Sequence, residues 1–194
     1  YKISGTADFF CNLPLFHYCN REALEELSKR ATYKNFPTNT LILRQEDFPT
    51  SLFFIKSGRI KILRKVEFKI PQTRKEMNDV NFLMQEPRQE DYESEMVESK
   101  LLEIDELTSG DCFGDYAAIL KESIKYSVVT IIPTEVFSVR IIDFISILKE
   151  KFAEAFLKFS KPTPLDTELR KGLIEMQKWS FYKNEVVMSV KANH

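Results

Sequence analysis

The sequence predicts a mainly β fold with flanking helices, an α+β chain whose antiparallel β unit is bracketed by helical segments. Three observations carry this. Short aliphatic runs, Leu41-Ile42-Leu43 and Leu52-Phe53-Phe54-Ile55, are separated by turn residues, the spacing of short antiparallel strands. Arg59-Ile60-Lys61-Ile62-Leu63-Arg64 alternates charged and aliphatic residues, as a strand with one buried face does. Apolar residues recur at helical spacing at both ends: Ala23, Leu24, Leu27 and Ala31 near the start, and Phe144, Ile147, Leu148, Phe152, Phe156 and Phe159 later.

The elements follow in order. Ala7 to Lys34 reads as helical, interrupted at Leu13-Pro14-Leu15-Phe16, with Asn20 capping a helix that starts at Arg21. Glu22 and Glu25 sit early in that helix and Lys29 and Arg30 late, as the helix dipole favours. Phe36-Pro37-Thr38-Asn39 and Glu46-Asp47-Phe48-Pro49-Thr50-Ser51 are turns around the first strands. Lys61 and Arg64 are expected on a solvated strand face. Glu67 to Lys100, interrupted by Pro71 and Pro87 and rich in Glu and Asp, reads as a long solvated loop; an acidic docking segment is the alternative. Leu101-Leu102-Glu103-Ile104 resumes strand texture. Ser127 to Ile132 and Val136 to Val139 read as strands joined in a hairpin at Pro133-Thr134. A helix opens at Asp143 and runs beyond Phe159 until Pro162 and Pro164 end it, and Asp166 caps another to about Lys178. The division expected is a helical segment over 1–35, a β unit over 36–142 with the loop at 67–100 and a compact loop-and-turn segment at 109–127, helices over 143–178, and a tail over 179–194. In the tail, 169–188 repeats the helix, aromatic-basic stretch, turn and strand of 24–43; the start of a second repeat and chance similarity are both open.

Composition narrows the function. The chain has 194 residues, 28 Lys+Arg against 29 Asp+Glu, five Gly and two His. The net charge of −1 argues against a broad electrostatic grip on nucleic acid. Two histidines cannot build a multi-histidine metal centre. Cys11, Cys19 and Cys112 have no close pair and read as reduced thiols in an intracellular, cytoplasmic protein. No apolar run reaches the ~20 residues of a membrane span. Nor can a Ser/His/Asp or Cys/His nucleophile arrangement be assembled, so no enzyme and no catalytic residue is expected. The opening Tyr1-Lys2-Ile3-Ser4 lacks an initiator Met and reads as part of a longer chain.

The segment with most chemistry is Ser109-Gly110-Asp111-Cys112-Phe113-Gly114-Asp115-Tyr116-Ala117-Ala118-Ile119-Leu120. A strand, a glycine turn and a helix opening on small residues make an anion cradle, because glycine lets a ligand reach the backbone and Ala117 and Ala118 leave room. Asp115 either accepts from a sugar hydroxyl or bonds loop amides.

Taken together, these residues resemble the cyclic nucleotide-binding domain family of kinase regulatory subunits, gated channels and bacterial catabolite regulators. Leu13-Pro14-Leu15-Phe16 is similar to the family's opening motif, Leu52-Phe53-Phe54-Ile55-Lys56-Ser57-Gly58 to its strand ending in glycine, and Ser109 to Asp115 to its phosphate-binding cassette, usually Pro-Gly-Asp-x-Phe-Gly-Glu. The resemblance runs from about Phe9 to Leu148. It implies an antiparallel β-roll flanked by helices and a cAMP or cGMP site at Phe113, Gly114, Asp115, Ala117, Ala118, Lys125, Tyr126 and Ser127, with no metal or other cofactor.

Several positions depart from the family pattern. Family turn glycines are Asn39 and Glu46 here, far along the chain from the cassette, where a change of loop shape is expected. The cassette glutamate that bonds the ribose is Asp115, shorter in reach by about 1.5 Å. The cassette arginine that pairs with the cyclic phosphate is Tyr126, with Lys125 beside it. Ser127 follows, where a hydroxyl in some members favours guanine. Trp179 is either a lid over the base or a packing residue. The resemblance therefore implies a regulatory cyclic nucleotide-binding module of weakened or altered affinity. The alternative is a degenerate fold that binds no nucleotide and serves as a protein-interaction or scaffold domain. A protein partner or an output domain in a longer chain is implied by either.

Overall fold

The computed structural model describes residues 2–17, 19–149 and 165–176, without the side chains of residues 2–4, 115 and 116. In chain order the elements are α1 (Lys2–Cys11), a 3-10 turn (Pro14–Phe16), α2 (Arg21–Arg30), β1 (Thr32–Phe36), β2 (Leu41–Leu43), β3 (Ser51–Ser57), β4 (Arg59–Lys69), α3 (Arg74–Met77), α4 (Val80–Met84), α5 (Gln89–Glu93), β5 (Val97–Thr108), β6 (Cys112–Phe113), α6 (Asp115–Leu120), β7 (Ser127–Thr130), β8 (Thr134–Arg140) and α7 (Ile141–Leu148); residues 166–176 form a further helix, α8. The strands make two four-stranded sheets, ordered β1-β8-β3-β6 and β2-β7-β4-β5. The fold is therefore α+β with antiparallel strand pairing, as the sequence predicts. The chain divides into two units, Tyr1–Arg64 with Glu103–Pro162, and Lys65–Leu102 with Thr163–His194.

In the first unit, β3 is buried on both faces. Leu52 and Phe54 face a cluster with Phe10, Phe16, Leu24, Leu27, Phe137, Val139 and Phe144. Phe53 and Ile55 face a second cluster with Ile60, Ile62, Phe113, Val128 and Val136. That dual burial explains why β3 is a continuous apolar run while β4 alternates. The phenylalanines account for much of the first cluster: Phe10 meets Phe54 edge-on at 5.3 Å, and Phe16 stacks with Phe144 at 6.3 Å. Asn20 caps α2 by accepting from the Ala23 N–H at 2.7 Å.

Asp143, in the first turn of α7, is 4 % exposed. It accepts from Arg30 of α2 at 2.9 Å and from Arg140 at 3.1 Å, tying two helices to β8. Asp143→Ala leaves both arginines partly exposed and free to return to water, so the expected loss is about 2 kcal/mol rather than the larger cost of stranding a buried charge. Urea unfolding checks this.

In the first unit four expectations are corrected. β7 and β8 are not a hairpin. β7 pairs with β2 and β4, while β8 pairs with β1 and β3, so Pro133-Thr134 is a corner where the chain changes sheets. The corner packs on the one at Ser57-Gly58, where β3 gives way to β4, and the Ser57 hydroxyl donates to Glu135. That bond, then the one from Tyr33, holds the Glu135 carboxyl below the usual range. Second, residues 32–36 are strand, so helix ends at Arg30 and β structure starts before residue 36. Third, Arg64 is 7 % exposed, because period two sets it on the same face as Ile60 and Ile62. Fourth, the helix expected from Asp143 past Phe159 is α7, which starts at Ile141 and ends at Leu148, where Lys149 takes φ +54°. Phe152, Phe156, Phe159, Trp179 and the tail over 179–194 lie outside the described residues.

In the second unit the expected loop is replaced by ordered structure. β4 continues to Lys69, β5 begins at Val97, and α3, α4 and α5 lie between them. Thr73 caps α3 by accepting from the Glu76 N–H at 3.2 Å, and Asp79 caps α4 by accepting from the Asn81 N–H at 3.0 Å. The carboxylates that make the stretch look solvated have internal partners: Asp91 with Lys69 at 3.5 Å, Glu86 with Arg170 at 3.6 Å, and Glu67 with the Tyr92 hydroxyl. The Glu67 bond pushes the Tyr92 pKa up to about 12. Arg170 of α8 is 3 % exposed, donates to the Glu67 carbonyl at 3.0 Å, and lies 6.0 Å from the Phe68 ring centre.

Candidate nucleotide site

The site begins where β6 meets β3. Phe113 pairs with Phe53 across the strands, and their rings stack at 5.0 Å with planes 2° apart. The preceding loop is fastened to β3: the Gly110 N–H donates to the Ile55 carbonyl at 2.8 Å, the Ile55 N–H to Asp111 at 2.9 Å, and the Ser109 hydroxyl to Lys56 at 2.7 Å. Asp111 Oδ2 accepts from the Thr108 N–H at 2.9 Å. The loop is thus fastened by the chain's own hydrogen bonds.

Gly114 follows at φ +76° and heads α6. A Cβ there would lie 3.3 Å from Leu43 Cδ1 and 3.3 Å from the Ser51 carbonyl oxygen. The backbone angle favours glycine, and a Cβ would be tight against both neighbours. Ala117 and Ala118, 8 % and 3 % exposed, turn inward, and Ala118 joins the cluster that holds Phe144. The Asp115 backbone opens α6; its side chain is outside the described residues.

The other three predicted residues do different work from one another. Tyr126 packs against the cluster between the sheets, and its hydroxyl accepts from the Gly114 N–H at 3.0 Å. Lys125 turns to the Ser123 hydroxyl at 3.0 Å and to Glu46 at 3.7 Å. The Ser127 hydroxyl accepts from the Gln45 N–H at 2.8 Å, pinning the end of β2. The structure thus joins Phe113, Gly114 and Tyr126 in one cluster and directs Lys125 and Ser127 to the segment around Glu46.

Glu46 is the residue that sequence reasoning misplaced. It is distant along the chain from the cassette yet touches it. The Glu46 N–H donates to the Ile124 carbonyl at 2.8 Å, and the Ile124 N–H returns to Asp47 at 2.7 Å. The signal was the lost turn glycine itself. Glu46 keeps the left-handed backbone at φ +76°, as Asn39 does at φ +56°. Asn tolerates that region, whereas a long side chain there costs roughly 1–2 kcal/mol. The ion pair with Lys125 is exposed and offsets little. Glu46→Gly should therefore stabilise the chain by about 1 kcal/mol in urea unfolding.

No protein-family model and no curated protein matches the chain. Solved structures do. The regulatory domain of Toxoplasma gondii protein kinase A with cAMP is similar at TM-score 0.60 and 13 % identity, over 81 % of this chain and 49 % of that one. The regulatory subunit of a cAMP-independent protein kinase A from Trypanosoma cruzi, bound to guanosine, is similar at 0.59 and 11 %, over 91 % and 50 %. The Thermus thermophilus catabolite activator protein is similar at 0.53 and 17 %, over 87 % and 63 %. The fold shared with these structures is two antiparallel sheets, a short helix between β6 and β7, and packed helices at the N-terminal end. It is the cyclic nucleotide-binding domain fold, in a divergent form. The chain spans about half the length of the kinase regulatory chains it matches. Among the described residues, no helix is long and apolar enough to cross a membrane, and no group of His, Cys, Asp or Glu is arranged to hold a metal ion.

Proposed function

We propose that the chain is a non-catalytic regulatory module that binds cAMP or cGMP weakly at the segment from Phe113 to Ser127, inside the cell and within a longer protein that carries its output. The single observation that supports this is the pairing of Gly114 with Tyr126. The glycine keeps the left-handed turn at the head of α6, while the residue at the arginine position supplies only a neutral hydroxyl. An arginine fork would give a phosphate two charge-assisted bonds worth roughly 1.5–3 kcal/mol each. Without it, affinity falls by roughly 100-fold or more. Lys125, drawn toward Glu46 and Ser123, is a point charge with no fork.

A second reading, an interaction module that has lost its ligand, is supported by the same bond, since the amide already has an acceptor. Isothermal titration with cAMP and cGMP separates the two. The first reading expects a Kd on the order of 0.1–1 mM. Absence of heat at millimolar ligand favours the second.

A further inference from the structure

The helix α8 carries Gly172 in its interior, where a Cβ would meet nothing within 4 Å. Neither the space nor the backbone angle calls for glycine there, and glycine weakens a helix interior. A helix of this length is marginal by itself in water. α8 therefore takes its order from what it packs on, which is the end of β4 and the insert α3–α5 that follows it.

The attachment is thin. Arg170 and Ile174, one turn apart, are the buried residues of α8, with Asp166, Leu169 and Leu173 part-buried beside them. Arg170 Nε donates to the Glu67 carbonyl at 3.0 Å, and the guanidinium lies 6.0 Å from the Phe68 ring centre. Its Nη1 makes no hydrogen bond among the described residues and sits 3.6 Å from Glu86, whose side chain is exposed. The Glu67 carboxylate meanwhile accepts from the Tyr92 hydroxyl of α5. One residue of β4 thus holds both α5 and α8. A buried guanidinium with so few partners adds little stability, and register and switching are the best-attested uses of such groups.

We propose that the insert between β4 and β5 is a latch for α8: Arg170, seated on Glu67 and Phe68, holds the helix, and its release melts α8 while the β strands stay folded. The seat fits an amphipathic helix that carries an arginine and, one turn on, an aliphatic residue. The latch is independent of whether residues 113–127 bind a nucleotide.

Native-state hydrogen exchange of the full chain over a range of low urea concentrations tests this in the wild type, Arg170→Ala, Gly172→Ala and Lys171→Ala. In the wild type, α8 amides should be protected at least about tenfold less than those of β3 and β8 and respond less to urea, because local opening exposes little surface. Arg170→Ala should speed α8 exchange by about tenfold or more, and Gly172→Ala should slow it by about two- to fivefold. Lys171→Ala, on the exposed face, should change it by less than about twofold. Equal protection and equal urea response of α8 and the strands in the wild type overturn the latch. So does unaltered α8 exchange in Arg170→Ala. An Arg170→Ala chain that fails to fold overturns it too, since a latch opens without unfolding the strands.

Discussion

Replacing Tyr126 with arginine should tighten cAMP binding by at least about 100-fold. One term drives the gain. The guanidinium supplies the phosphate with two charge-assisted bonds that a neutral hydroxyl cannot make, each worth roughly 1.5–3 kcal/mol. One term opposes the gain: the part-buried ring leaves the cluster of Phe53, Phe113 and Val128, at a cost of about 1–2 kcal/mol in fold stability. That cost falls on the free and bound protein alike and so leaves the binding constant largely untouched. Lys125→Ala is the control. Its ammonium is committed to Ser123 and Glu46, so cAMP affinity should stay within about twofold. Calorimetry on the two variants checks both, and a Tyr126→Arg chain that binds no better than wild type contradicts the assignment of the position.

The largest stability effect is expected at Gly58. There β3 of one sheet becomes β4 of the other, at φ +107°. A Cβ would lie 2.4 Å from Thr134 Oγ1, 2.7 Å from the Pro133 carbonyl oxygen and 2.7 Å from Thr134 Cα. Two of those three contacts are backbone, so no rotamer change relieves them. The neighbouring corner is itself fixed, since Thr134 bonds the Ile132 carbonyl at 2.8 Å and the Ile131 N–H bonds the Arg59 carbonyl at 2.9 Å. Gly58→Ala should therefore cost about 3–5 kcal/mol, the sum of backbone strain and displacement of one corner from the other. Gly172→Ala, in α8 with nothing within 4 Å of its Cβ, should instead stabilise by about 0.5–1 kcal/mol. Urea unfolding distinguishes them, and a loss under about 1 kcal/mol at Gly58 contradicts the packed-corner geometry.

What could be read from the sequence is what local chemistry dictates. Period two in Arg59 to Arg64 marks β4, a run with no polar position marks β3, and Asn20 marks the start of α2. Gly114 is legible because glycine takes the left-handed turn without strain. The hidden features depend on contacts distant in sequence. Pro133-Thr134 carries hairpin chemistry, and only the partners of β7 and β8 show that it changes sheets. The helices between β4 and β5 are four or five residues long, too short for a helical period to show against a charged background. Arg64 reads as solvated by residue type, yet its register buries it. At the site, the loss of arginine at position 126 is visible in the sequence. The use of Tyr126 as the acceptor for Gly114, and the approach of Glu46 to Lys125, need the fold.

The central claim is that the cassette survives as a weak site whose amide Tyr126 holds. A nitrogen–proton correlation titration of the wild-type chain with cAMP, followed at the Gly114 amide into the millimolar range, tests it most directly. The account predicts a progressive shift of Gly114, with Ala117 and Ala118 moving alongside, in fast exchange and approaching saturation only near millimolar ligand. An unmoved Gly114 resonance, or saturation at nanomolar cAMP, would contradict it.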